Sequence, residues 1–160
     1  MAAMPVAEIS YIKTQETLLE KNLEDIRQAI SLWRRDCRNA VVASYGYKKL
    51  FNVPDSQLYP PSLEALANPA TTYPIAASDG AHIADFHPRP YLQAIPQDPF
   101  IGAAEWVVHY ASGTTGTYSG GSTAPIIPQA SGVFDISCVS DPVKRRGFVT
   151  AIDGTKYEDW

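Results

Sequence analysis

The chain has 160 residues, 45% hydrophobic and 19% charged, enough for one buried core and too apolar for a disordered tail. Its net charge of −4 argues against nucleic-acid binding, which wants a Lys/Arg surplus. Two cysteines cannot build a zinc ribbon or a disulfide-dense miniprotein, and thirteen prolines with ten glycines favour many turns over a helical bundle. No stretch is apolar for eighteen residues, and no secretory leader opens the chain.

Met1 to Pro5 reads as a cloning remnant, and residues 6–160 read as one domain. From about Ala7 to Asn39 there is neither Pro nor Gly, and helix formers dominate. Ile12, Leu19, Leu23, Ile26, Ile30, Trp33 and Cys37 recur at spacings of three, four and seven, one face of an α-helix. The spacing predicts a long helix over 6–40, its core stripe cleanest at Leu19, Leu23, Ile26, Ile30 and Trp33. Glu16 interrupts the stripe, so the first turns are expected to run off the core into solvent. Tyr45-Gly46-Tyr47 breaks the helix, and residues 41–104 read as a variable loop region containing one short helix capped by Ser62. Within it, 67–90 carries Pro69, Pro74, Pro88 and Pro90 with little periodicity and is expected to be a long surface loop.

Residues 105–160 are expected to form a small antiparallel sheet. Trp106 to Tyr110 reads as a strand, and Ser112 to Ser122, almost all Gly, Ser and Thr, as a loop. Val133 to Val139 alternates, placing Phe134, Ile136 and Cys138 on one face and Val133, Asp135, Ser137 and Val139 on the other. Phe148 to Ile152 is its expected hairpin partner. The fold class is α+β: one long helix packed on a small antiparallel sheet.

Charge is unevenly placed. Through Leu50 there are eight basic residues and six acidic ones, a balance of +2, and the remainder carries −6. The two readings are a pair of solvated faces and head-to-tail self-association between complementary ends. No catalytic signature is present: His82 and His87 with Asp79 and Asp85 match no ligand spacing, and His109 has no nucleophile motif around it. Cys37, on the helix stripe, and Cys138, in the strand, are both expected to point into the helix–sheet interface. They form either a disulfide or two buried reduced thiols.

Five segments together resemble a known family. Residues 19–30, LEKNLEDIRQAI, resemble the helix of type IV pilin-like proteins beyond their membrane segment. The run 59–66, YPPSLEAL, with Pro60, Leu63 and Leu66, is similar to the Y-P-x-S-L-x-x-L element of type II secretion pseudopilins. The run 91–100, YLQAIPQDPF, with Pro96, Asp98 and Pro99 and then Gly102, is similar to their Y-L-x-x-I-P-x-D-P-[FW] segment. Residues 132–137, GVFDIS, and the closing DGTKYEDW, with Asp153, Gly154, Tyr157 and Trp160, resemble the last strands of a subgroup ending in D-G-T-x-Y-x-x-W. The resemblance is to the major pseudopilin, general secretion pathway protein G.

That resemblance implies a type IV pilin-like fold and a non-enzymatic role. Its elements are the periplasmic domain of a protein anchored in the inner membrane of a Gram-negative envelope, and self-assembly into a helical filament. Other pseudopilins and inner-membrane secretion components are the implied partners, and the filament pushes folded exoproteins through the outer-membrane secretin. The family's basic leader and apolar segment of about twenty residues precede the part matched here, so an anchor is expected in the native full-length protein. Residues 67–88 and 111–131 are longer than the family's usual connections. Many major pseudopilins also carry an aspartate- and glycine-rich calcium loop near the C-terminus. Here residues 137–146 are basic and poor in ligands, while a hard cation takes six to eight oxygens. Asp135, Asp141 and Asp153 are the side-chain candidates for such a site. Two other functions fit the sequence less closely: a type IV pilin for adhesion, motility or DNA uptake, and a periplasmic binding module using the 67–90 segment as a lid.

Overall fold

The computed structural model describes residues 5–120 and 132–160. One helix, α1 (Val6–Tyr45), runs for 40 residues, about 60 Å at 1.5 Å per residue. It extends five residues past the expected end because nothing before Gly46 breaks it, and Gly46 stops it with φ of 77°, a left-handed conformation that costs glycine little. The stripe faces the core as expected: Ile12, Leu19, Leu23, Ile26, Ile30, Trp33 and Cys37 are buried, joined by Ala29 and Val41. The opposite expectation for Glu16 fails. Its carboxylate accepts the Ile152 amide at 2.8 Å and the Tyr157 hydroxyl at 2.7 Å, because the C-terminal segment folds back over the lower helix. Val6 and Tyr11 remain exposed.

A short α2 (Tyr47–Leu50) and a 3₁₀ turn (Asp55–Leu58) follow, then α3 (Glu64–Ala67). Ser62 Oγ accepts the Ala65 amide at 3.3 Å, so the expected cap acts from one residue ahead of Leu63, which precedes this very short helix. The segment 67–90 is not a plain loop. It contains an antiparallel hairpin of β1 (Tyr73–Ala76) and β2 (His82–Phe86), turned at Asp79-Gly80, where Gly80 has φ of 84°. Pro74 is tolerated because it lies on an edge strand. The hairpin seats on α1 through aromatic edges: the Trp33 ring meets Tyr73 at 5.1 Å, Phe86 at 5.2 Å and Tyr91 at 5.8 Å between centroids.

The second sheet has the order β4-β3-β5. Its centre, β3 (Glu105–Tyr110), is the strand expected at Trp106, with Trp106 and Val108 inward. Its partner β4 (Thr115–Ser119) lies where a loop was expected. The turn between them is short, and β3 supplies the ladder that a Gly- and Thr-rich strand needs. Residues 121 and 122 of that expected loop lie outside the described residues.

On the other side of β3 lies β5 (Val133–Ser137). The expected hairpin with 148–152 is therefore replaced by pairing with β3, and 148–152 instead meets the closing segment, through a bridge between Thr150 and Lys156 and the Ala151 amide on Thr155 O. A register shift opposite His109 and Tyr110 also breaks the simple alternation. Val133 is buried and Phe134 exposed, after which Ile136 and Cys138 return to the core: an extra residue in one strand flips the side chains beyond it. β5 enters at Gly132, whose amide donates to Ser56 O at 2.9 Å. A Cβ there would lie 2.6 Å from Tyr59 Cβ and 2.7 Å from its carbonyl oxygen, so only glycine fits. Among the described residues, no helix is long and apolar enough to cross a membrane.

Candidate functional site

The residues singled out in the D-P-F and D-G-T segments converge on one lock at the end of the sheet. Tyr91 and Leu92 donate their amides to Leu66 O at 2.8 and 3.1 Å, which hangs the 91–100 segment from α3. Leu63 and Leu66 are buried beside it, and Pro60 O accepts the Val133 amide at 2.8 Å. Further on, Pro96 O accepts Trp106 Nε1 at 2.9 Å. Asp98 then closes a tight turn. Its Oδ1 accepts the Phe100 amide at 2.9 Å, its carbonyl accepts the Ile101 and Gly102 amides, and its own amide donates to Ala103 O. Gly102 completes the turn at φ of 76°, and Pro99 sits between as a residue with no amide to satisfy.

The other oxygen of Asp98 accepts from Arg145 Nη1 at 2.5 Å, and both side chains are wholly buried. The same guanidinium donates from Nε to Phe148 O at 2.8 Å and from Nη1 to Val139 O at 3.3 Å. It lies 4.7 Å from the Tyr157 ring centroid and 5.4 Å from that of Phe100. One positive charge is thus surrounded by a carboxylate, two carbonyls and two aromatic faces, binding the 98–102 turn, the 139–148 segment and the C-terminal turn.

The C-terminus is tied to the middle of α1. Asp153 accepts the Thr155 amide at 2.9 Å and hydroxyl at 2.7 Å, which holds its carboxyl below the usual range, and Gly154 takes φ of 89°. Trp160 Nε1 donates to Thr155 Oγ1. Arg27 donates from Nε to Asp135 and from Nη2 to Ile136 O and Trp160 O, all at 2.9 Å. Tyr157 is buried against Phe100 and Trp160. Between α1 and this tail lies an open groove of about 770 Å³, with Glu20, Glu24 and Asp153 on its walls and Trp160 at one side.

The calcium candidates do not gather. Asp135 is held by Arg27 and the Ile136 amide, Asp141 by the Val143 and Lys144 amides, and Asp153 by Thr155. Among the described residues no three His, Cys, Asp or Glu side chains are grouped to hold a metal. The donor set therefore does not fit calcium. The two cysteines are buried, as expected, but free. Cys37 Sγ lies 3.8 Å from Gln57 O, beside the point where β5 enters. Both thiols are free in this arrangement. Burial pushes both up to about 12.

Family models, characterised proteins and solved structures compared with this chain give no match.

Arg145, Glu16 and Arg27 carry the lock; the sequence marks neither arginine, and Glu16 reads there only as a solvent position. Arg145 sits in a basic run that reads as surface, and only the apolar residues around it, Phe148 and Tyr157, hint at burial. His82 pairs with Asp85 at 3.0 Å on β2, while His87 meets Thr71 O and Thr72 and Asp79 the Ala81 amide, ordinary local contacts. His109 Nε2 lies 2.9 Å from Ser137 Oγ across the strands. One surface stands out at the far end of α1: Tyr47 is 74% and Phe51 88% exposed, with Lys48 and Lys49 exposed between them.

Proposed function

We propose that this chain is the periplasmic part of a type II secretion pseudopilin with a type IV pilin-like fold. It is a structural subunit that assembles into a filament, and it is not a catalyst. The observation that carries this reading is the helix. α1 is about 60 Å long, and its apolar stripe is buried from Ile12 to Val41, with Val6 and Tyr11 exposed at its start. A single helix running the length of the molecule and starting at its surface suits a subunit continued upstream by an apolar anchor.

One further feature supports it. The segments that resemble the family meet in one lock, in which Asp98, Tyr157 and Trp160 each have a fixed partner, so their spacing has a structural reason. One departure from the family stands beside this: the residues do not fit calcium in the region where major pseudopilins carry their calcium loop. Arg145 instead provides a fixed positive charge among the Asp98 carboxylate and the Val139 and Phe148 carbonyls, which holds the C-terminal segment without a metal.

The test is the native gene. Upstream codons encoding a basic leader and about twenty apolar residues are expected, and the longer product should form filaments in a Gram-negative envelope carrying the secretion machinery. Its deletion should leave exoproteins in the periplasm. An upstream region without that apolar segment, or unimpaired secretion after deletion, overturns the reading.

A further inference from the structure

Two surfaces of this chain complement one another but lie too far apart to meet within one molecule. At the end of α1, the turn into α2 presents Tyr47, Lys48, Lys49 and Phe51. Both aromatics are mostly exposed, and the two lysines close the last turn of α2. Large aromatics left in water beside cations are costly unless something covers them. Lower on the same helix, the 770 Å³ groove is walled by the acids Glu20, Glu24 and Asp153 and by the Trp160 ring. The one cation lining it, Arg27, is already committed to Asp135 and two carbonyls, so the groove presents negative charge beside an aromatic wall. From Glu24 to Gly46 the helix rises about 33 Å.

We infer that the Tyr47–Phe51 knob of one copy docks in the Glu20/Glu24/Asp153 groove of the next copy. Lys48 and Lys49 meet the carboxylates, and Phe51 and Tyr47 pack against Trp160. Knob and groove are different surfaces, so the contact is heterologous: every copy offers one of each, and the series stays open rather than closing as a dimer. Successive copies are displaced by about 33 Å along α1. The inference rests on the filament reading and names the contact that reading leaves unspecified.

The test is sedimentation of the 160-residue chain at low salt and concentrations up to about 1 mM, where weak protein contacts populate. The expected result is an average mass that rises with concentration past two copies and falls as salt is added. The variants Glu20→Lys/Glu24→Lys and Lys48→Glu/Lys49→Glu, all at exposed positions, should each weaken association at least about tenfold through like-charge opposition. An equimolar mixture of the two should restore it, because the basic groove of one accepts the acidic knob of the other. Phe51→Ala should weaken association with its charge pattern intact. A plateau at two copies, a monomer at every concentration, or variants that associate like the parent chain would each overturn the contact. Filaments of the longer gene product that persist with both charge reversals would also overturn it while leaving the filament reading standing; no filaments from the unaltered product would instead remove that reading.

Discussion

Asp98 and Arg145 form an ion pair at 2.5 Å with both side chains wholly removed from solvent. Forty-seven residues separate them, so the pair welds two loops that have no strand ladder in common. Removing two charges from water costs several kcal/mol each, and Coulomb attraction offsets this only when the other polar atoms are satisfied. Asp98 meets that condition through the Phe100 amide, and Arg145 largely does through Phe148 O and Val139 O. Its Nη2 has no acceptor among the described residues.

Asp98→Ala should accordingly destabilise the fold by about 3–5 kcal/mol, since it strands a buried guanidinium. Arg145→Ala should cost a similar amount by stranding the carboxylate. The double variant Asp98→Ala/Arg145→Ala should cost clearly less than the two single losses added together, which urea midpoints in a double-mutant cycle will read. Additive losses would mean the pair is not coupled.

Tyr157 and Glu16 give a second, milder prediction. Tyr157→Phe removes one hydrogen bond to Glu16 and should cost about 1 kcal/mol. Glu16→Ala removes the acceptor for both the Tyr157 hydroxyl and the Ile152 amide, so it should cost more than Tyr157→Phe. Equal costs would show that the Ile152 bond contributes nothing in solution.

The helix was legible because its signal is local: Leu19, Leu23, Ile26, Ile30 and Trp33 repeat at 3.6-residue spacing whatever lies opposite. The strands were harder. Asp79-Gly80 is a hairpin signal in its own right, but the prolines around it masked the strands, and only contact with Trp33 makes them worth forming. β4, rich in Gly and Thr, has almost no signal until β3 is beside it. Phe134 was assigned inward because strict alternation admits no extra residue, and a bulge cannot be seen without its partner strand. Arg145 was invisible for a similar reason. A cation between Lys144 and Arg146 is buried only because Asp98, from a distant turn, is buried with it. Of the candidate site, the positions of Asp98, Tyr157 and Trp160 were legible by resemblance, while the partners that hold them were not.

The thiols predict a loss of stability in alkali. Burial raises Cys37 and Cys138 to about 12 in the fold, from an ordinary value of 9.0. A raised acid is fully stabilised below its unfolded pKa, and that stability is lost as pH rises through the folded one. Between about pH 9 and 12 each thiol should progressively remove stability as pH rises, because the unfolded chain releases its proton first. Tyr91 and Tyr157 act in the same direction above pH 10: burial raises both, reinforced by Asp36 and Glu16 respectively. Urea titrations at pH 8 and 10.5 should show the fall, and Cys37→Ala/Cys138→Ala should flatten it. Before unfolding, neither thiol should react with a disulfide reagent at pH 8, and added reductant should leave the melting temperature unchanged.

The bulge in β5 separates two neighbouring apolar side chains that alternation would treat alike. Phe134 is 45% exposed and meets the Tyr59 and His109 rings edge-on, with both centroids 6.4 Å away. Ile136 is fully buried opposite Val108. Truncating Ile136 to Ala should therefore cost about 2–5 kcal/mol from lost transfer energy and the cavity left behind. Phe134→Ala, although it removes more atoms, should cost only about 1 kcal/mol, because water already covers much of the ring. Equilibrium unfolding of the two variants decides the matter. If Phe134→Ala were the costlier of the two, the strand would have to lie in the unbulged register, with Val133 turned outward and the link from Gly132 to Ser56 lost.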